Sequence, residues 1–241
     1  MPVPIKDLVA RRSDLGTFLV HLTRDGENET ARERFEKILY EETLRARSMF
    51  GQAKRRLEAG NHDLRSQKCV CFTETPLEHI HLLLAEIENR DCHFRPYGIA
   101  ITKKVGRQKG VNPVWYLDIT PGHDWLASNF DNILDRCLVD GTFTDPDIER
   151  LVPFVEQMGT HQPAGGAGYR KEFWWEREWR HRGHFPFPRQ VIGLCPAEEM
   201  SAFEALTANN FAKITFIDPR WGLEQIIAHL AGFVSYEVDV L

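Results

Sequence analysis

The sequence has no apolar run approaching the roughly 18 residues that a membrane-spanning helix needs. Its opening stretch, MPVPIKDLVARR, has no apolar segment of the kind a secretory leader carries. Cysteine is scarce and odd in number. Cys69, Cys71, Cys92, Cys137 and Cys195 cannot all pair, so a disulfide framework is not the expectation and a reducing cytoplasm is. Surplus positive charge is missing too: Lys and Arg total 30 against 35 Asp and Glu, for a net charge of -5. That balance excludes a chain-wide electrostatic grip on nucleic acid or an anionic membrane. Any such grip is local, at KKVGRQKG (103–110), AKRRLEAG (53–60) or the arginines around 177–189. There is no G-x-S-x-G, and the glycine-rich GTHQPAGGAGYRK fits neither phosphate-loop pattern. CVCFTETPLEHIH pairs its cysteines as C-x-C and its histidines as H-x-H, spacings that structural zinc sites do not favour. No metal site is expected. The chain also lacks internal repeats and low-complexity tracts.

What is present suits a globular core. Of 241 residues 42% are hydrophobic and 27% charged, ordinary values for a protein that buries a sizeable interior. One domain over residues 1–241 is the expectation. The periodicity predicts a strand within DLGTFLVHLTR (14–24), its apolar run ending in His21, then a helix from about Thr30 to a stop at Gly51. A buried strand at 69–74 and a helix over 76–90 follow. YGIAITKK (97–104) and PVWYLDI (113–119) read as two strands of a hairpin, and the apolar spacing over 123–158 as two helical segments. Further strands are expected in EFWWEREW, QVIGLCP and AKITFID, with helices near 197–210 and 223–233. The class is mixed α+β.

The most unusual stretch is KEFWWEREWRHRG (171–183). If 172–180 is extended, Trp174, Glu176, Glu178 and Arg180 share one face and Trp175, Arg177 and Trp179 the other. Each face then mixes tryptophan with charge, and the two carboxylates stand about 7 Å apart along one side. An edge strand whose charges deter aggregation explains such a pattern. So does a pair of glutamates aimed into one cleft.

Read in order, FLVHLTR, a helix ending in FGQAK, CFTETPL, YGIAITKK with NPVWYLD, and WWEREWR resemble the AbiGi-type abortive-infection family. They also resemble a broader bacterial group with an ADP-ribosyltransferase-like fold, over roughly residues 17–195. The resemblance implies an α+β fold of mixed, mostly antiparallel sheets forming a split core with flanking helices. It implies NAD as co-substrate, with Glu178 the catalytic carboxylate on the nicotinamide ribose and Glu176 its partner toward the acceptor. His21, Thr23, Arg24, Phe72, Thr73 and Tyr97 are the implied cofactor-binding residues. His21 and Thr73 occupy the family's first-strand and middle-strand places. Tyr97 or Phe72 would stack on nicotinamide and Arg24 would hold pyrophosphate. Cleaving the NAD glycosidic bond develops positive charge on ribose, which a fixed carboxylate stabilises. The loop from about Gly159 to Trp174 would choose the target.

The implied function is an NAD-dependent ADP-ribosyltransferase acting as a toxin or effector in phage defence, held in check by a protein antitoxin. RNA is the preferred macromolecular acceptor, since Arg177, Arg180, Arg182 and the 103–109 turn could hold phosphates. Protein arginine is the competing acceptor, and water, in an NAD glycohydrolase, a weaker one. The alternative from another class is a non-enzymatic antitoxin or binding module on the same fold. A middle motif of Phe-Thr-Glu where such enzymes carry Ser-Thr-Ser supports it, as does the acidic net charge.

Overall fold

The computed structural model describes residues 15–87, 92–161, 168–172 and 174–233. Strands β1 (Phe18–Arg24), β2 (Cys69–Thr73), β3 (Phe94–Thr102), β4 (Asn112–Pro113), β5 (Trp115–Asp118), β6 (Val155–His161), β7 (Tyr169–Lys171), β8 (Glu178–Arg182), β9 (Gln190–Leu194) and β10 (Lys213–Ile217) carry the sheets. The helices are α1 (Ala31–Glu41), α2 (Gly51–Ala59), α3 (His81–Leu84), α4 (Lys103–Gln108), α5 (Trp125–Cys137), α6 (Pro146–Leu151), α7 (Met200–Thr207) and α8 (Leu223–Leu230). The protein is α+β, with several antiparallel strand pairs. It divides into two compact units, each assembled from separate stretches of chain. One comprises residues up to 43, 72–106 and from 186 onward; the other 44–71 and 107–185.

In the first unit the strand order is β10-β9-β3-β1, with the Phe72–Thr73 end of β2 beside β1. Only β9 and β10 run parallel, in register from Gln190↔Lys213 to Leu194↔Ile217; β9 against β3, β3 against β1 and β1 against β2 are antiparallel. Both faces are covered, so β1 and β3 read as near-continuous apolar runs instead of alternating. Val20, Leu22 and Ala100 pack with Ile80, Leu83 and Ile226. Phe35 of α1 and Phe203 of α7 meet edge to face, with ring centroids 5.1 Å apart. Helix α1 begins where expected, because Thr30 and Glu33 form a reciprocal capping box. It ends at Glu42 in the left-handed region at φ 47, well before Gly51. The Glu42 carboxylate accepts the N–H groups of Phe211 and Ala212 at 2.7 and 2.9 Å, bonds that hold a non-glycine residue in that conformation.

In the second unit β5 runs parallel to β6, and β7 antiparallel to it, in the order β7-β6-β5. Strand β8 pairs with β4 through Trp179↔Pro113 and Arg180↔Asn112. Met49, Leu57, Leu134 and Val152 form one core cluster; Leu117, Ala127 and Val155 form another.

Several sequence expectations fail for identifiable reasons. Residues 97–104 and 113–119 are not a hairpin: Lys103–Gln108 is helical, β3 pairs with β1 and β9, and β5 pairs with β6. Val155 and Met158, read as helical, lie on β6, because their apolar spacing fits either period in so short a run. Of the helix predicted over 76–90, the described residues form a 3-10 turn at Leu77–His79 and the four residues of α3, and 88–90 lie outside the described residues. Gly51 opens helix α2 instead of closing α1. Its φ is +56, and a Cβ there would fall 2.1 Å from the carbonyl oxygen of Val155. Residues 162–167 and Phe173 lie outside the described residues, so the expected target-choosing loop is described only at its two ends.

Candidate functional site

The stretch expected to be one long strand is broken. Trp174–Glu176 forms a 3-10 turn, Arg177 takes φ 47, and extended backbone resumes only at Glu178. The alternation that would aim Glu176 and Glu178 along one face is therefore absent. Glu176 belongs to the turn and Glu178 to the first position of β8.

Strand β8 places Arg180 wholly inside the second unit, at 0% exposure. A buried guanidinium needs partners for its N–H donors, and the surroundings supply four acceptors. Nε and Nη2 each donate to a different oxygen of Glu178, both at 2.8 Å, a bidentate pair. Nη2 also donates to Oε2 of Glu156 at 2.6 Å, and Nη1 to the carbonyl of Pro153 at 2.9 Å. The ring of Phe50 lies 5.1 Å from the guanidinium carbon, within cation–π range. Glu156, itself buried, takes a further bond from Nζ of Lys171 at 3.0 Å. The backbone N–H of Glu178 donates to the hydroxyl of Tyr116 at 3.3 Å. Two acids and two bases thus form a charge-balanced cluster joining β6, β7 and β8 and the residue that leads into α2.

Electrostatics follow from this geometry. Burial pushes the Glu156 carboxyl up, but Arg180 and Lys171 more than offset it and hold the group below the ordinary glutamate value of 4.5. Burial, and then the Glu178 charge, pushes the Tyr116 phenol up. Burial likewise raises the Cys69 thiol to about 11 and pushes the Cys71 thiol well above its ordinary value, so neither is a thiolate at neutral pH. Arg180 stays protonated throughout, so the acid response argued here is that of Glu156. The stability Glu156 supplies is complete above 4.5 and is lost as pH falls through its lowered value. We expect urea midpoints to hold steady near neutrality and to fall below about pH 4.5, with a shallower acid limb in Glu156→Gln than in the wild type. Equal slopes in the two proteins would contradict this assignment.

The residues implied for cofactor binding lie in the first unit. Phe72 is buried and meets the half-buried His21 edge-on, with centroids 6.0 Å apart. Thr23 is buried and donates to the Tyr97 carbonyl at 3.1 Å. Thr73 shares a 2.8 Å hydroxyl bond with Thr75 and accepts its N–H at 3.1 Å. The Tyr97 hydroxyl donates to Glu199 at 2.6 Å while its ring packs against Phe35 and Phe203. Burial first, and then that bond to Glu199, raises the phenol. Arg24 stands apart at the exposed end of β1, on an open groove of about 1020 Å³ shared with Asp25, Arg34 and Arg95. The structure thus brings His21 to Phe72 and Thr23 to Tyr97.

Sequence reasoning missed Glu156 and Lys171 and misread Arg180. Glu156 was hidden in a segment read as helix, and Arg180 was assigned to phosphate contacts that its complete burial prevents. The signal that could have found them is a charged residue at an inward-facing strand position in each of VEQM and EWR. Among the described residues no group of three or more His, Cys, Asp or Glu could hold a metal ion, and no helix is long and apolar enough to cross a membrane.

Residues 36–226 match a protein family described as "Putative abortive phage resistance protein AbiGi, antitoxin". The chain belongs to the AbiGi family. No curated protein and no solved structure matches it. AbiGi membership bears out the expected tie to abortive infection and antiviral defence, but it overturns the main functional expectation. The family is described as an antitoxin, so the reading as an ADP-ribosyltransferase toxin is corrected to the antitoxin side of such a pair. The AbiGi match includes Glu156, Glu178 and Arg180, while His21, Thr23 and Arg24 precede it.

Proposed function

We propose that this chain is a non-enzymatic antitoxin of a phage-defence pair, which binds a protein toxin and holds it inactive. Beside the family description, one observation carries the reading: both carboxylate oxygens of Glu178 are committed to a fully buried arginine. A carboxylate held this way serves the fold, since withdrawing it toward an outside ligand would leave the Arg180 charge buried and short of partners. The E-x-E sequence is then half of an internal ion-pair cluster. On this reading the resemblance to ADP-ribosyltransferases is one of scaffold, a mixed α+β framework used as a binding module.

The test is co-expression with the protein encoded beside this chain in its own locus, chosen as a neighbour whose expression alone arrests growth. Growth should recover with the wild type and equally with Glu178→Gln, once a melting curve shows that variant folded. Purified wild type should release no nicotinamide from labelled NAD. Arrest that persists beside abundant folded wild type would sink the antitoxin reading. Nicotinamide release by the wild type and not by Glu178→Gln would sink its non-enzymatic part.

A further inference from the structure

We draw no further inference here: the strongest candidate, the apolar stripe of Leu223, Ile227 and Leu230 left exposed along helix α8 of the first unit, carries nothing because nothing in the structure shows what covers it.

Discussion

Arg180→Met should destabilise the second unit by about 3–5 kcal/mol, the cost seen when one partner of a buried ion pair is removed. Methionine fills much of the volume and stays in contact with Phe50, so lost packing is a minor part. The larger part is what remains: Glu156 and Glu178 in low-dielectric surroundings without their common cation, and a Pro153 carbonyl without its donor. Lys171 still reaches Glu156 but not the Glu178 oxygens that Arg180 bridged. The variant should therefore melt well below the wild type at neutral pH and recover part of the difference toward pH 4, as one glutamate takes up a proton. Urea titrations at pH 7 and pH 4 check this. A loss under 1 kcal/mol at pH 7 would show that the guanidinium is not the centre of the cluster. Replacing Arg180, Glu156 and Glu178 together by apolar residues should cost much less than Arg180→Met alone, because it removes every buried charge at once.

Phe35→Ala should cost the first unit about 3–5 kcal/mol, as large-to-small changes at buried aromatic positions do. Phe35 is 0% exposed and its ring faces both Phe203 and Tyr97, at 5.1 and 5.9 Å. Truncation removes the contact that holds α1 against α7 and leaves a cavity between rigid neighbours. Phe203 is itself stacked on Phe216 of β10, and Tyr97 is tied to Glu199, so neither can move far to fill the space. Phe35→Leu, which keeps most of the volume, should cost less than half as much. Equal losses in the two variants would mean that the aromatic contacts contribute nothing beyond bulk. Equilibrium denaturation followed by far-ultraviolet circular dichroism separates the two outcomes.

The elements that could be read from the chain are those whose signals are local. Thr30 with Glu33 marks the start of α1 through bonds within four residues, and the structure forms both of them. The apolar run GIAI is a strand buried on two faces, and QVIGL and KITFI are strands of the same sheet. The α+β class follows from such pieces. The family was legible in the same way, because the order of short motifs along the chain is a property of sequence, and the AbiGi match confirms that part. The role within such a system was not legible, since a fold does not fix a function.

Composition and local pattern by themselves determined the class, most of the strands and helices and the absence of a long apolar span, while the tie to abortive infection came from the resemblance to a known family. Tertiary structure decided the meaning of EREWR. Alternation along an ideal strand puts Glu176, Glu178 and Arg180 on one face with equal claims to solvent, and nothing local says where the strand begins. The turn at Trp174–Glu176 and the left-handed Arg177 delay that start to Glu178. Arg180 then falls inside, beside a glutamate 24 residues away in sequence. Burial of an arginine is tolerable only where carboxylates converge on it from distant segments, and that convergence is a property of the folded chain.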